Sequence, residues 1–255
     1  MSSSLPATAV SQQTLQQHSP VSGGELVAQR RRRLRFKVRG VGRSGNLQGG
    51  AARGSCSSDP IFITPLVPLT NKPELTEDGK QKEVELYSAL TVAARPKFFV
   101  HIPQISAQEA KFTLLKEINE NQDELVTEAT VALSGTPGVV SFSLPAEAPS
   151  LEVGKTYKWS VQVICDPSSD DGSVNPRVEG EIQRIPSTDA IANIEQAAPI
   201  DRPQLYSDAN AWYDSVTALA ELLTKNPNDP TLKEDWVSLL RSVNLDRITE
   251  APLVQ

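Results

Sequence analysis

Tyr157-Lys158-Trp159-Ser160-Val161-Gln162-Val163-Ile164-Cys165 is the stretch on which the fold turns. Tyr157, Trp159, Val161, Val163 and Cys165 alternate with Lys158, Ser160, Gln162 and Ile164. Successive side chains of a strand point to opposite faces. One face of this segment therefore enters a core, and the other is mostly polar, as in an antiparallel sheet packed on one side.

Just upstream, Leu151-x-x-Gly154-x-x-Tyr157 sets a leucine ahead of a tyrosine that opens a strand. This spacing resembles the tyrosine corner of immunoglobulin-like and fibronectin-like sandwiches, in which a buried phenol bonds back to the upstream backbone. A buried hydroxyl needs a partner, and the corner supplies one. The alternative is an ordinary core tyrosine. Other strand-like runs lie at 98–102, 110–117, 125–133, 139–144 and 177–185, and residues 61–69 read as an edge strand between prolines. Turn residues separate them at Asn119-Glu120-Asn121, Gly135-Thr136-Pro137-Gly138 and 167–172, while the polar residues 71–85 read as a loop. Short strands at this rhythm predict a mostly β protein, an antiparallel β-sandwich of the immunoglobulin-like or fibronectin-like kind.

Beyond residue 185 the period changes. Ser187 or Thr188 can cap a helix to about 196, and Asp201 another to about 209. Trp212, Val216, Leu219 and Leu223 recur on one helical face. Asn226-Pro227-Asn228 ends that helix, Asp229-Pro230 opens the next, and Asn244 stops it. Residues 205–230 are similar to one tetratricopeptide repeat, with Asn210 in the place of the usual glycine, a residue that tolerates a left-handed backbone. One such hairpin cannot stand alone, because repeats of this kind need neighbours to bury their faces. The predicted organisation is a disordered basic arm over 1–44, a sandwich domain over 45–186 and a helical module over 187–250.

Charge is divided along the chain. Residues 1–60 hold nine Lys/Arg against Glu25 and Asp59, a balance of +7, and the remainder carries −13. A basic arm on an acidic body contacts something anionic, and the body itself qualifies. The Arg30-Arg31-Arg32-Arg33 tract has Phe36 as its lone aromatic neighbour, which argues against base stacking and makes nucleic acid an unfavoured partner. No apolar run is long enough for a membrane helix. Ala7-Thr8-Ala9 reads like a signal-peptide cleavage site, so Met1 is expected to be a late start, with a random polar N-terminus as the alternative.

Several short motifs together resemble a known cyanobacterial family, the domain of unknown function numbered 928. They are Gly49-Gly50-Ala51-Ala52-Arg53-Gly54-Ser55-Cys56, Ala94-Arg95-Pro96-Lys97-Phe98-Phe99-Val100-His101-Ile102-Pro103, and Leu133-Ser134-Gly135-Thr136-Pro137-Gly138-Val139-Val140. Leu151 to Trp159, Ile164-Cys165-Asp166-Pro167, Val178-Glu179-Gly180 and Trp212-Tyr213-Asp214 complete the set, over roughly residues 35–254. The resemblance implies no activity. Members often look exported, and an oxidising compartment permits a Cys56–Cys165 disulfide. Two independent reduced thiols are the alternative.

Residue inventory narrows the chemistry. His18 and His101 are the chain's histidines; His18 falls in the expected disordered arm, and His101, between Val100 and Ile102 in a predicted strand, points outward if those point inward, which makes it a structural or surface residue rather than a catalytic base. Asp166, Asp170 and Asp171 are a weak calcium candidate whose spacing fits no EF-hand loop. Glu179 and Glu181 share a strand face and are the residues a carboxylate hydrolase would use, although a solvated face is the ordinary role of such a pair. No catalytic, cofactor or metal site is expected. The expected function is a non-catalytic binding or structural protein of the envelope or exported fraction, working through protein contacts, with Trp212, Tyr213 and Trp236 as partner-contact candidates. An intracellular adaptor with a nucleic-acid-touching arm and a carboxylate hydrolase are the alternatives. Localisation is periplasmic or secreted if a signal peptide was lost, and cytoplasmic otherwise.

Overall fold

The structure, a computed structural model, describes residues 33–37, 51–52, 56–57, 61–75, 80–119, 121–169 and 174–254. Arg33–Gln255 fall in one compact unit. Strands β1 (Ala51–Ala52) and β2 (Ile61–Phe62) form a small ribbon. Then come β3 (Thr64–Pro65), β4 (Leu69–Leu75), β5 (Gln81–Thr91), β6 (Lys97–Ile102), β7 (Glu109–Asn119) and β8 (Gln122–Ala132). They are followed by β9 (Gly138–Ser143), β10 (Thr156–Val163), β11 (Arg177–Arg184) and, at the far end, β12 (Leu253–Val254). A six-stranded sheet has the order β4-β5-β11-β10-β7-β8, and a four-stranded sheet the order β12-β9-β6-β3.

The two sheets face each other through aromatic rings. Phe98 of β6 meets Phe112 of β7 at 4.9 Å and Trp159 of β10 at 5.4 Å between ring centres. Phe142 of β9 stacks on Phe112 at 6.2 Å. Alternation along β10 does what its sequence predicts: Tyr157, Trp159, Val161 and Val163 are buried. The Tyr157 hydroxyl accepts a hydrogen bond from the Glu152 N–H at 2.8 Å, which satisfies the buried phenol from the upstream backbone. Ala94 O accepts from Leu151 N at 2.9 Å, and the Arg184 guanidinium donates to Leu151 O at 2.6 Å, so three separate segments hold this corner.

Three expectations need correction. Both sheets are mixed: β11 pairs parallel with β5, and β12 pairs parallel with β9. Alternation reports which face a side chain takes, not the direction of the neighbouring strand, so antiparallel pairing throughout did not follow from it. Residues 71–85 are not a loop; they supply much of the β4–β5 pair, registered from Leu69↔Tyr87 to Leu75↔Gln81. Lys82, Glu83 and Glu85 are exposed and Asn71 Nδ2 donates to Glu83 Oε2 at 3.1 Å, so in this stretch polar side chains stand on a backbone ladder that their sequence does not announce. The run 61–69 is broken into β2, β3 and the start of β4, with Pro65 ending β3 and Pro68 in the gap before β4, each without the N–H a longer ladder needs.

The helices follow: α1 (Asp189–Ala192) running into a 3-10 turn, α2 (Arg202–Asp208), α3 (Trp212–Lys225) and α4 (Pro230–Arg241). Thr188 caps α1 through Ile191 N, and Asp229 caps α4 through Thr231 N at 2.8 Å and Leu232 N at 3.2 Å. Asp201 precedes α2 but its carboxylate makes no cap bond. Asn210 and Asn244 take φ of 60° and 64°, the left-handed region that an asparagine tolerates. Helices α3 and α4 share one core with the sheets.

The expected arm over 1–44 is not uniform. Most of it lies outside the described residues, but residues 33–37 are an ordered strap across the helices. Leu34 and Phe36 are buried while Arg33, Arg35 and Lys37 are exposed. Phe36 meets Trp212 edge-on at 4.9 Å, Phe36 N donates to Ser242 Oγ at 2.9 Å, and Ser207 Oγ donates to Arg35 O at 2.9 Å. Charge dominates the composition there and hides two apolar side chains at strand spacing.

Candidate functional site

The first turn of α3 plugs the sandwich. Trp159 Nε1 donates to Tyr213 Oη at 2.8 Å, and Tyr213 Oη donates to the Glu181 carbonyl at 3.2 Å. Tyr213 also sets its ring against Phe98 at 5.7 Å. Burial drives the Tyr213 pKa far above the ordinary phenol value. Asp214 accepts from Val92 N at 3.0 Å and Ala93 N at 3.2 Å, and its burial holds its carboxyl above the usual range. Trp212 Nε1 donates to Leu66 O at 2.8 Å. The Trp212-Tyr213-Asp214 motif is thus the joint between helix and sheets. Trp212 and Tyr213, with relative exposures of 0% and 2%, cannot be surface contacts for a partner, which corrects that expectation. Their large apolar area is what the core demands of them.

From this joint α3 and α4 run over the outer face of the small sheet. Strand β6 buries a phenylalanine on each face, Phe98 turned to the large sheet and Phe99 to the helices, with Lys97 and His101 half-buried on the Phe99 side. Between helices and sheet lies a cavity of about 720 Å³, lined by β6, β9, α3, α4 and residues 249–254. Phe99, Val139, Trp236, Val237, Leu253 and Val254 make much of its wall. Trp236 belongs to this wall but is itself 4% exposed, so it contributes a floor rather than a projecting anchor. Lys97, Glu221, Lys225, Lys233 and Glu250 supply the charges, and Lys97 Nζ pairs with Glu221 Oε1 at 2.8 Å. A volume of this size falls within the range of ligand sites.

Gly138 lets the C-terminal strand close the wall. A Cβ there would meet the Pro252 carbonyl at 2.5 Å and Val254 Cγ1 at 2.9 Å. Val139 N donates to Pro252 O at 2.7 Å across the β9–β12 pair.

The remaining sequence candidates lie elsewhere. Cys56 and Cys165 form a disulfide with Cα atoms 5.1 Å apart, closing a sequence separation of 109. Beside it Asn175, buried, accepts from Cys165 N at 2.7 Å and Asp166 N at 2.9 Å and donates to Asp166 O at 2.9 Å. Asp166 turns its carboxylate to Ser168 N at 2.9 Å and Ser168 Oγ at 2.6 Å, which lowers its pKa. Asp170 and Asp171 lie outside the described residues, and among the described residues no group of three metal-ligating side chains is assembled. Glu179 pairs with Arg177 at 3.4 Å on the outer face of β11. None of Asp166, Glu179 and Glu181 lines the cavity. His101 lies half-buried in β6, and burial lowers its pKa. Leu151 is buried, and Gly154 adopts φ 78° in the turn before β10.

Residue patterns missed the cavity. Its one legible signal is Phe98-Phe99-Val100, a run apolar on both faces and therefore covered on both. The two-residue strand β12 carries too little pattern to read.

A mostly β protein of two mixed sheets, with a helical layer enclosing a cavity, is the class these features define. The chain belongs to the family described as Domain of Unknown Function (DUF928), whose model matches residues 48–253. No curated protein matches it. Among the described residues no helix is long and apolar enough to cross a membrane.

Proposed function

We propose that this chain is a non-catalytic binding protein of the cell envelope or exported fraction, and that it seats a segment of a partner protein in the helix–sheet cavity. The cavity is the observation that carries the reading. It is about 720 Å³, has an apolar floor and a charged rim, and no other described element fills it. The scaffold is read as an immunoglobulin-like or fibronectin-like sandwich. In support, β3-β6-β9 faces β8-β7-β10-β11, β5 lies parallel beside β11, and Tyr157 makes the corner bond at the start of β10. The α2–α4 region is read as a single tetratricopeptide-like hairpin docked on that sandwich, with left-handed Asn210 at the joint. Export is supported by the Cys56–Cys165 disulfide, since such bonds persist in oxidising compartments.

The test places a photo-crosslinking benzoylphenylalanine at Val237, on the cavity wall, in the native cells, with a control at exposed Thr130. The expected result is one identified protein adduct at Val237, absent at Thr130, in an envelope or exported fraction. No adduct at Val237, or the same adducts at both positions, overturns the reading.

A further inference from the structure

Taking the helix–sheet cavity as the docking site, we infer that its occupant is an extended partner segment in which apolar residues alternate with carboxylates. The charge contrast comes first. Beyond residue 60 the chain holds sixteen basic and twenty-nine acidic residues. Yet Lys97, Lys225 and Lys233 line this one cavity against Glu221 and Glu250. Glu221 is taken by Lys97 at 2.8 Å. Lys225, the last residue of α3, and Lys233, in the first turn of α4, bracket the helix–helix turn, and among the described residues they form no ion pair. The carboxylate between them, Asp229, is engaged as the α4 cap. Two exposed cations thus stand at one end of an apolar floor, and a chain that matches them presents anions beside apolar side chains.

The edge of the small sheet selects an extended chain over a helix. In a parallel pair the bonded groups alternate along the strand. Pro252 O accepts from Val139 N, so Pro252 and Val254 face β9, and the N–H and C=O of Leu253 point to the open edge. A strand laid there takes that rung and sends alternate side chains to the floor and to the lysines. A helix, with its own backbone groups already bonded, leaves the rung unmade.

The probe is an acetylated twelve-residue peptide of alternating valine and glutamate, with a valine–lysine counterpart, titrated into the full chain by calorimetry and by tryptophan fluorescence. Trp236 lines the cavity and Trp159 and Trp212 do not, so a signal on binding reports Trp236. Expected are binding of the glutamate peptide and at least tenfold weaker binding of the lysine peptide. At least tenfold weakening is also expected in Lys225→Glu/Lys233→Glu, with partial weakening in the milder Lys225→Gln/Lys233→Gln. Both lysines are exposed, and unchanged melting temperatures check that the variants fold. Equal affinity for the two peptides, no binding of either, or full binding by the charge-reversed chain overturns the inference. So does sodium dodecanoate binding where the peptide does not, which assigns the cavity to small amphipathic anions. A Val237 adduct that survives charge reversal leaves the docking reading standing and removes only this one; absence of any Val237 adduct removes the docking reading itself.

Discussion

Replacing Tyr213 by Phe removes one oxygen from the joint between α3 and the sandwich. The ring keeps its place against Phe98. What is lost is the acceptor for Trp159 Nε1, at 2.8 Å, and the donor to the Glu181 carbonyl, at 3.2 Å. Trp159 is 1% exposed, so its indole N–H finds no water in exchange. A buried donor left unmade costs about 1–3 kcal/mol, and the expected loss at pH 7 is about 2 kcal/mol. A second signature comes from ionisation. Burial raises the Tyr213 pKa far above normal, so the folded phenol stays protonated where an unfolded one, with a pKa of about 10, ionises. Its contribution is fully present below about pH 10 and falls as pH rises beyond it, by up to about 1.4 kcal/mol per pH unit. Phe has no such proton, so the stability gap between wild type and Tyr213→Phe should narrow by about 1.4 kcal/mol between pH 9 and 11. Urea unfolding followed by far-UV circular dichroism at each pH measures both. A gap below about 0.5 kcal/mol at pH 7, or one unchanged from pH 9 to 11, refutes the bonding scheme.

Reducing the disulfide, or making Cys56→Ser/Cys165→Ser, reopens a loop spanning a separation of 109 residues; the chain-entropy relation puts the loss at about 5 kcal/mol, read as a fall in the urea midpoint with a steeper slope, since the opened denatured chain exposes more surface. Gly138→Ala sets a Cβ against Pro252 O and should free residues 252–254 from β9. Faster amide exchange at Val139 and a cost of about 1–3 kcal/mol are expected, and unchanged exchange refutes the contact. Phe36→Ala removes the ring packed on Trp212, with an expected cost of about 3–5 kcal/mol and a red shift of tryptophan emission; a change under 1 kcal/mol would mean that the strap at 33–37 is not part of the folded unit.

The readable parts of this protein are those whose cause is local. The period of two in Tyr157 to Cys165 fixed the inward face of β10, because a strand has no other way to divide its side chains. The spacing from Leu151 to Tyr157 anticipated a phenol bonded upstream, and Asp229-Pro230 anticipated the start of α4. Asn210 and Asn244 were legible as left-handed positions for a local steric reason.

What sequence reading missed is non-local. The β4–β5 pair brings exposed Lys82, Glu83 and Glu85 onto a ladder of backbone groups that every sequence possesses. Trp212 and Tyr213 look like surface aromatics until the sheets to which α3 docks are in place. Leu34 and Phe36 are two apolar residues in a basic tract, and only Trp212 and Ser242, far along the chain, make a site for them. The cavity depends in the same way on Phe99, Val139, Trp236 and Val254, which four separate elements bring together. The sequence by itself determined which faces of the central strands are apolar, where the helices begin, and the family. Tertiary structure alone decided which strands are neighbours, which tryptophans are core, and where a partner finds an open edge. Alternation and capping are settled within a few residues, whereas a cavity is a volume between elements and exists only once they have packed.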